Sequence, residues 1–316
     1  VSVQFLGSGD AFGSGGRLQA CILVTGGESP LLLDCGTTSL VALKRAAIDP
    51  GSIGHIAISH LHGDHFGGLP FLILDGQFNR RVMPLLVAGP AGIEQRTLAA
   101  MEVFYPGSSR VQRRFDVRFT ELQPAATFTL GNTGIEAFEA DHASGAPSLC
   151  LRLRYGGKTI AYSGDTAWTD PLILAAKESD LFICESYSFE KPVRFHMDYA
   201  TLGRELPRIG AKRLILTHMS GAMLGRLDEV DVGAGGGRAG DCRHGAGIAA
   251  AGVRRRARGD RAQRAPLRPD RAGIVDRLHP AGPGLAGRAH PRSPRARRAG
   301  GETQPHRAPP PALPAA

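Results

Sequence analysis

The first 230 residues of this 316-residue chain alternate short apolar runs with polar, glycine-rich joints. Runs at 31–33, 55–59, 85–88, 117–121, 135–140, 151–154, 159–162, 181–184 and 214–217 are short and rich in branched and aromatic residues, and they read as strands. Longer stretches at 40–47, 66–74, 94–104, 171–177, 199–209 and 220–229 read as helices. Strands interleaved with helices predict sheets with helices packed outside them, and 230 residues are enough for one sizeable core.

Beyond position 230 the pattern stops. Residues 231–316 carry 17 arginines, no lysine and six acidic residues, a charge of +11; the whole chain carries +9, which leaves −2 for the residues before them. Ala, Arg, Gly and Pro make up 62 of these 86 residues, and Phe, Tyr, Trp, Met, Lys and Asn are absent. Such a segment cannot bury enough apolar surface to offset the entropy of ordering and is expected to be a disordered basic tail. Three readings stand for it. It is an arginine-rich extension that binds RNA through phosphates, a solvated tail, or an out-of-frame translation of GC-rich DNA. The third is favoured, because its dominant residues are those spelled by codons of G and C alone. An intact reading frame with codon bias continuous across position 232 would exclude it.

Candidate chemistry concentrates at strand ends. His60-Leu61-His62-Gly63-Asp64-His65 places three imidazoles and a carboxylate on the loop between the strand at 55–59 and the helix at 66–74. These ligands suit a zinc-like ion, and four of them exceed what one ion with an open position takes from a single segment, so two adjacent metals are expected. His142, Asp165 and His218 each follow a predicted strand, and as a set they bring further ligands to one rim. A solvated histidine-rich loop is the bland alternative. The opening glycines, Gly7, Gly9, Gly13, Gly15 and Gly16, lack the Lys-Ser/Thr of a phosphate-binding loop and read as a hairpin lining the site. Asp34 reads either as the partner of a ligand imidazole's second nitrogen or as an ordinary turn aspartate before Gly36.

In this order, His-x-His-x-Asp-His at 60–65, His142, Ser-Gly-Asp-Thr at 163–166 and Leu-Thr-His at 216–218 resemble the metallo-β-lactamase superfamily. Phe5-Leu6-Gly7-Ser8-Gly9, Asp34-Cys35-Gly36, the run at 63–70, and Glu185-Ser186 followed by His196 are similar to its ribonuclease Z-like branch. The resemblance implies an α/β fold, an αββα sandwich of two mixed β-sheets with outer helices and the metals at one edge. It implies that His60, His62 and His142 bind one zinc, that Asp64, His65 and His218 bind the second, and that Asp165 bridges them. Two such cations can hold water as hydroxide near neutral pH and clamp a phosphoryl group. Asp64 would accept the water's proton, and His196, oriented by Glu185, would donate to the leaving oxygen or stabilise phosphoryl charge. That role is the favoured reading of His196; the alternative is a surface residue opening a helix over 197–206, with Asp198 in its first turn.

Ribonuclease Z enzymes that mature transfer RNA carry a protruding arm between the third metal histidine and the Gly-Asp motif. From 142 to 165 this chain has room for two strands and a Gly156-Gly157 turn, so a small or single-stranded substrate is expected. Arg110, Arg113, Arg114 and Arg118 form a basic segment that reads as a local RNA contact or as a solvated loop.

No run of 18 apolar residues occurs and no charged-then-apolar leader opens the chain, so the default expectation is a cytoplasmic protein without membrane association. Cys21, Cys35, Cys150, Cys184 and Cys242 are odd in number and lack Cys-x-x-Cys spacing, so they should be reduced and mostly buried. The sequence therefore reads as a hydrolase with two Zn2+, Mn2+ being the other ion its ligands accept, acting on a phosphodiester. The alternatives are a hydrolase of a non-phosphate ester, thioester or lactam, and a non-catalytic RNA-binding protein or inactive truncated paralogue. A homodimer is implied by the resemblance alone.

Overall fold

The computed structural model describes residues 1–230 and the backbone of one further strand, Ile248–Gly252. One sheet has the order β1 (Ser2–Gly7), β2 (Cys21–Thr25), β3 (Leu31–Leu33), β4 (His55–Ala57), β5 (Leu85–Gly89) and β6 (Val117–Glu121). Its first two pairings are antiparallel and the other three parallel. The other sheet runs β7 (Thr127–Leu130), β8 (Thr133–Ala140), β9 (Ser148–Tyr155), β10 (Lys158–Tyr162), β11 (Leu181–Glu185), β12 (Arg213–Thr217) and β13 (Ile248–Gly252). It is parallel only across β10, β11 and β12.

Three apolar layers give the order of the sandwich. Alternating side chains split each strand: Leu32 packs outward with Leu43 of α1 (Ser39–Arg45), Leu72 of α3 (Leu69–Phe78) and Met101 of α4 (Ile93–Phe104). Leu31 and Leu33 point the other way and meet Leu151, Ile160 and Ile183 of the second sheet. Phe182 and Leu214 then face Leu172 of α5 (Pro171–Ala176) and Leu202 of α6 (Tyr199–Ile209). Two mixed sheets packed face to face with helices outside are the αββα arrangement expected. Cys21, Cys35, Cys150 and Cys184 are all buried free thiols. Among the described residues no helix is long and apolar enough to cross a membrane.

Several elements differ from the sequence reading. The helix expected at 66–74 is two helices, α2 (Gly63–Phe66) and α3, parted at Gly67 and Gly68. A Cβ on Gly68 would stand 2.2 Å from the carbonyl oxygen of Gly36, so backbone packs on backbone there and the chain restarts with Pro70 in the first turn of α3. Asp198 lies outside α6 as its N-cap, accepting from Thr201 N–H at 2.8 Å, rather than in a first turn. The helix expected at 220–229 is the short α7 (Gly221–Leu224), which ends at Gly225, followed by a 3-10 turn at Leu227–Glu229. Within the segment expected to be structureless, Ile248–Gly252 pairs antiparallel with β12. Five residues without proline or charge can satisfy the N–H and C=O groups that β12 would otherwise leave open. The other expectations for 231–316 lie outside the described residues.

Candidate metal centre

The structure brings all seven predicted ligands together. His60 follows β4, His62 caps α2, and Asp64 and His65 lie within α2. His142 follows β8, Asp165 follows β10 and His218 follows β12. Ligand atoms of His60, His62 and His142 lie within 4.8 Å of one another, as do those of Asp64, His65, Asp165 and His218. The Asp165 carboxylate stands between the groups: Oδ1 is 3.3 Å from His65 Nε2, and Oδ2 is 3.1 Å from His218 Nε2, 3.8 Å from His60 Nε2 and 4.0 Å from His142 Nε2. The glycine-rich opening joins β1 to β2 and does line the site, because Ser8 O accepts the His218 N–H at 3.1 Å.

Hydrogen bonds behind the ligands set which nitrogen each imidazole offers. His65 Nδ1–H donates to Asp34 Oδ2 at 2.7 Å, and His142 Nδ1–H donates to the Phe195 carbonyl at 2.8 Å. The Ser59 hydroxyl gives its own proton to Asp34 Oδ2 at 2.8 Å, so at 3.1 Å from His60 Nδ1 it is left to accept. In its neutral form each of these rings turns Nε2 inward as the unprotonated nitrogen, as metal-bound histidine requires. His60 Nε2, His65 Nε2 and Asp165 Oδ1 are buried and have no hydrogen-bond partner. A cation is the partner that would satisfy an inward imidazole lone pair and a carboxylate oxygen together, so the residues fit a metal centre.

Asp34 is the hub of this shell. It also accepts from Ser59 N–H at 2.7 Å and from Tyr162 O–H, which reaches it from the second sheet at 2.7 Å. The Asp34→Ala variant should lower metal affinity about 10- to 100-fold, the usual cost of losing a ligand's own support, and a competition titration against a chromogenic chelator measures it. Three of the seven non-glycine residues with positive φ among the described residues are here: Asp34 (58°), Phe195 (68°) and His218 (55°). Backbone strain held by surrounding structure marks functional sites more often than scaffolding.

Glu185 and His196 sit beside the second group. His196 Nδ1 lies 3.0 Å from Glu185 Oε2, and Glu185 Oε1 accepts the Thr166 N–H. Burial, reinforced by Asp165, pushes the Glu185 carboxyl well up, and burial pulls His196 down. Both shifts favour neutral forms, and in that state a Glu185 proton donating to His196 Nδ1 would leave Nε2–H as a donor. Ser59, Tyr162 and the Phe195 carbonyl were missed by sequence reasoning; a hydroxyl or carbonyl carries no local signal of a contact made across the sandwich. Of the basic segment, Arg113 donates to the Ser108 and Ser109 carbonyls and Arg118 pairs with Asp116, so two of its four arginines are engaged locally.

The family model of the Anti-Pycsar protein Apyc1 matches residues 1–230. The chain belongs to the Anti-Pycsar protein Apyc1 family. This Apyc1-family chain is 32% identical over 227 residues to the uncharacterized protein ML1173 of Mycobacterium leprae, covering 69% of this chain and 78% of that one. Among solved structures, the short form of human tRNase Z is similar at 26% identity with a TM-score of 0.59, over 69% of this chain and 92% of that chain. The metallo-β-lactamase fold protein YhfI of Bacillus subtilis is similar at 23% identity and a TM-score of 0.58, over 69% and 86%. The metallo-β-lactamase fold and the likeness to ribonuclease Z proteins are therefore as expected. Together with the histidine and aspartate cluster, they support a metal-dependent hydrolase.

Metal loading of this Apyc1-family chain should release protons. Burial opposes charge on His65, yet Asp165, Asp64 and Asp34 outweigh it and raise the imidazole well above its ordinary value; Asp165 likewise raises His218 against its burial. Burial lowers His60, His62 and His142, which are already neutral at pH 7. A raised histidine stabilises the apo fold fully below about pH 6.5, and that contribution is lost as pH rises through its folded value. A bound metal cation must displace those protons. Calorimetric titration of the apo protein at pH 7 in buffers of different ionisation enthalpy should give buffer-dependent heats; identical heats would refute proton displacement.

Proposed function

We propose that the chain is a zinc-dependent phosphodiesterase acting on small or single-stranded substrates. The observation that carries this reading is the double ligand set, two groups of imidazole and carboxylate atoms each within 4.8 Å, with Asp165 between them. His60, His62 and His142 would hold one ion, Asp64, His65 and His218 the other, and Asp165 both. When bound, the pair supplies a nucleophile at neutral pH and neutralises charge on phosphoryl oxygens. A set dominated by imidazole suits zinc, and Mn2+ is the other ion it accepts.

The chain's own residues divide the remaining work. Asp64, 7% exposed and ionised because His65 outweighs its burial, is placed to accept a proton from the attacking water. His196 Nε2–H donates to the phosphoryl group or the leaving oxygen while Glu185 fixes the ring. The likeness to human tRNase Z supports phosphodiester chemistry. Between His142 and Asp165 the chain is taken up by β9, the Gly156-Gly157 turn and β10, which favours a small substrate over a folded RNA.

Hydrolysis of bis(p-nitrophenyl) phosphate by the zinc-loaded full chain tests the reading, with a cyclic nucleotide and a linear dinucleotide as the smallest natural phosphodiesters beside it. Turnover that chelation removes and zinc restores is expected. Turnover of a thioester, carboxylic ester or lactam with none of the phosphodiesters would overturn it.

A further inference from the structure

One side chain beside the proposed centre has no part in the ligand set or the Glu185–His196 pair. Tyr187 lies just past β11, half-buried, with its ring stacked on His196 at 4.6 Å between centroids and 27° between planes. The same ring is 6.2 Å from that of His218, so it borders both the proposed donor and a proposed ligand. Its backbone is held from two directions: Tyr187 N–H donates to Met197 O at 2.9 Å, and Ser220 N–H donates to Tyr187 O at 3.0 Å. The main chain is therefore fixed there, and the ring rests against His196.

Its hydroxyl is handled unlike those of the tyrosines that hold the scaffold. Tyr162 O–H donates to Asp34 at 2.7 Å and Tyr155 O–H to the Ser29 carbonyl at 2.8 Å. Tyr187 O–H has no hydrogen-bond partner among the described residues. A partly buried phenol ordinarily finds a partner for its hydroxyl, and one kept rigid but unpaired at a site is available to a ligand. Burial, then Asp10, Glu185 and Asp165, push its pKa up, so the hydroxyl keeps its proton and is able to donate. Oxygens of a phosphodiester need donors, and the ionised carboxylates of Asp64 and Asp165 at this centre supply none.

We propose that Tyr187 is a substrate-contacting residue, its hydroxyl donating to a non-bridging phosphoryl oxygen while its ring backs His196. This rests on the phosphodiesterase reading for the nature of the ligand. The test uses the zinc-loaded full chain and its Tyr187→Phe and Tyr187→Leu variants, with two readouts: kcat/KM for bis(p-nitrophenyl) phosphate, and the Kd of inorganic phosphate by calorimetry. The Phe variant should keep zinc content and Tm while losing about 10- to 100-fold in kcat/KM, the range for a hydrogen bond to a charged group, and should bind phosphate correspondingly more weakly. The Leu variant should show a further drop in kcat, because His196 loses its stacking partner. A Phe variant equal to wild type in phosphate affinity and in any turnover overturns the role of Tyr187. If wild type turns over no phosphodiester but the Phe variant still binds phosphate more weakly, the phosphodiesterase reading falls and the phosphoryl contact stands.

Discussion

Replacing Asp64 with alanine is expected to lower phosphodiester turnover roughly 10²- to 10⁴-fold, the span of a general base's contribution, without unfolding the protein. Asp64 Oδ2 stands 3.2 Å from His65 Nε2 and 3.9 Å from His218 Nε2, so the substitution removes a proposed ligand and the proposed proton acceptor at once. The fold should tolerate it. The substitution removes the attraction to His65 and His218 that holds the Asp64 pKa down against burial and Asp165, so a lower apo Tm is expected rather than unfolding. Single-turnover kinetics, zinc per chain and Tm measured together separate these effects. Undiminished turnover in the variant would remove Asp64 from the mechanism.

Alanine at position 196 should cost roughly 10²- to 10³-fold in kcat, as loss of one donor to developing charge does, with metal content per chain unchanged. The size of the loss should depend on the leaving group. A p-nitrophenolate leaves without a proton, so its loss reports stabilisation of the phosphoryl group; an alkoxide needs one, and a larger loss there would assign protonation to His196. There is a competing geometry: Asp165, Glu185, His196 and His218 also bring ligand atoms within 4.8 Å of one another. Zinc content falling in step with activity would make His196 a ligand and overturn its role as donor.

How much of this was legible in the sequence follows from what each residue contacts. His60, His142, Asp165 and His218 were readable because each closes or follows a short apolar run, and alternation along such a run is local information. The sheet-and-helix order was readable for the same reason. The break between α2 and α3 was not, since it answers to the Gly36 backbone packing against Gly68. Tyr162 to Asp34 spans 128 residues of sequence, and nothing near either residue announces the other. Tyr187 was overlooked because an aromatic residue after a strand reads as core until its free hydroxyl is seen.

The two sheets contribute unequal halves of the proposed centre, and this sets an order on biosynthesis. His60, His62, Asp64 and His65 come from the first sheet's side, but His142, Asp165 and His218 all come from the second. A nascent chain emerging from the ribosome presents four of the seven ligands long before the others exist. On this assignment neither ion finds its full set until the second sheet has been made and has docked. On this proposal a half-made chain would hold metal loosely and do no hydrolysis, so the cell is spared an active hydrolase before the last proposed ligand, His218, has been translated.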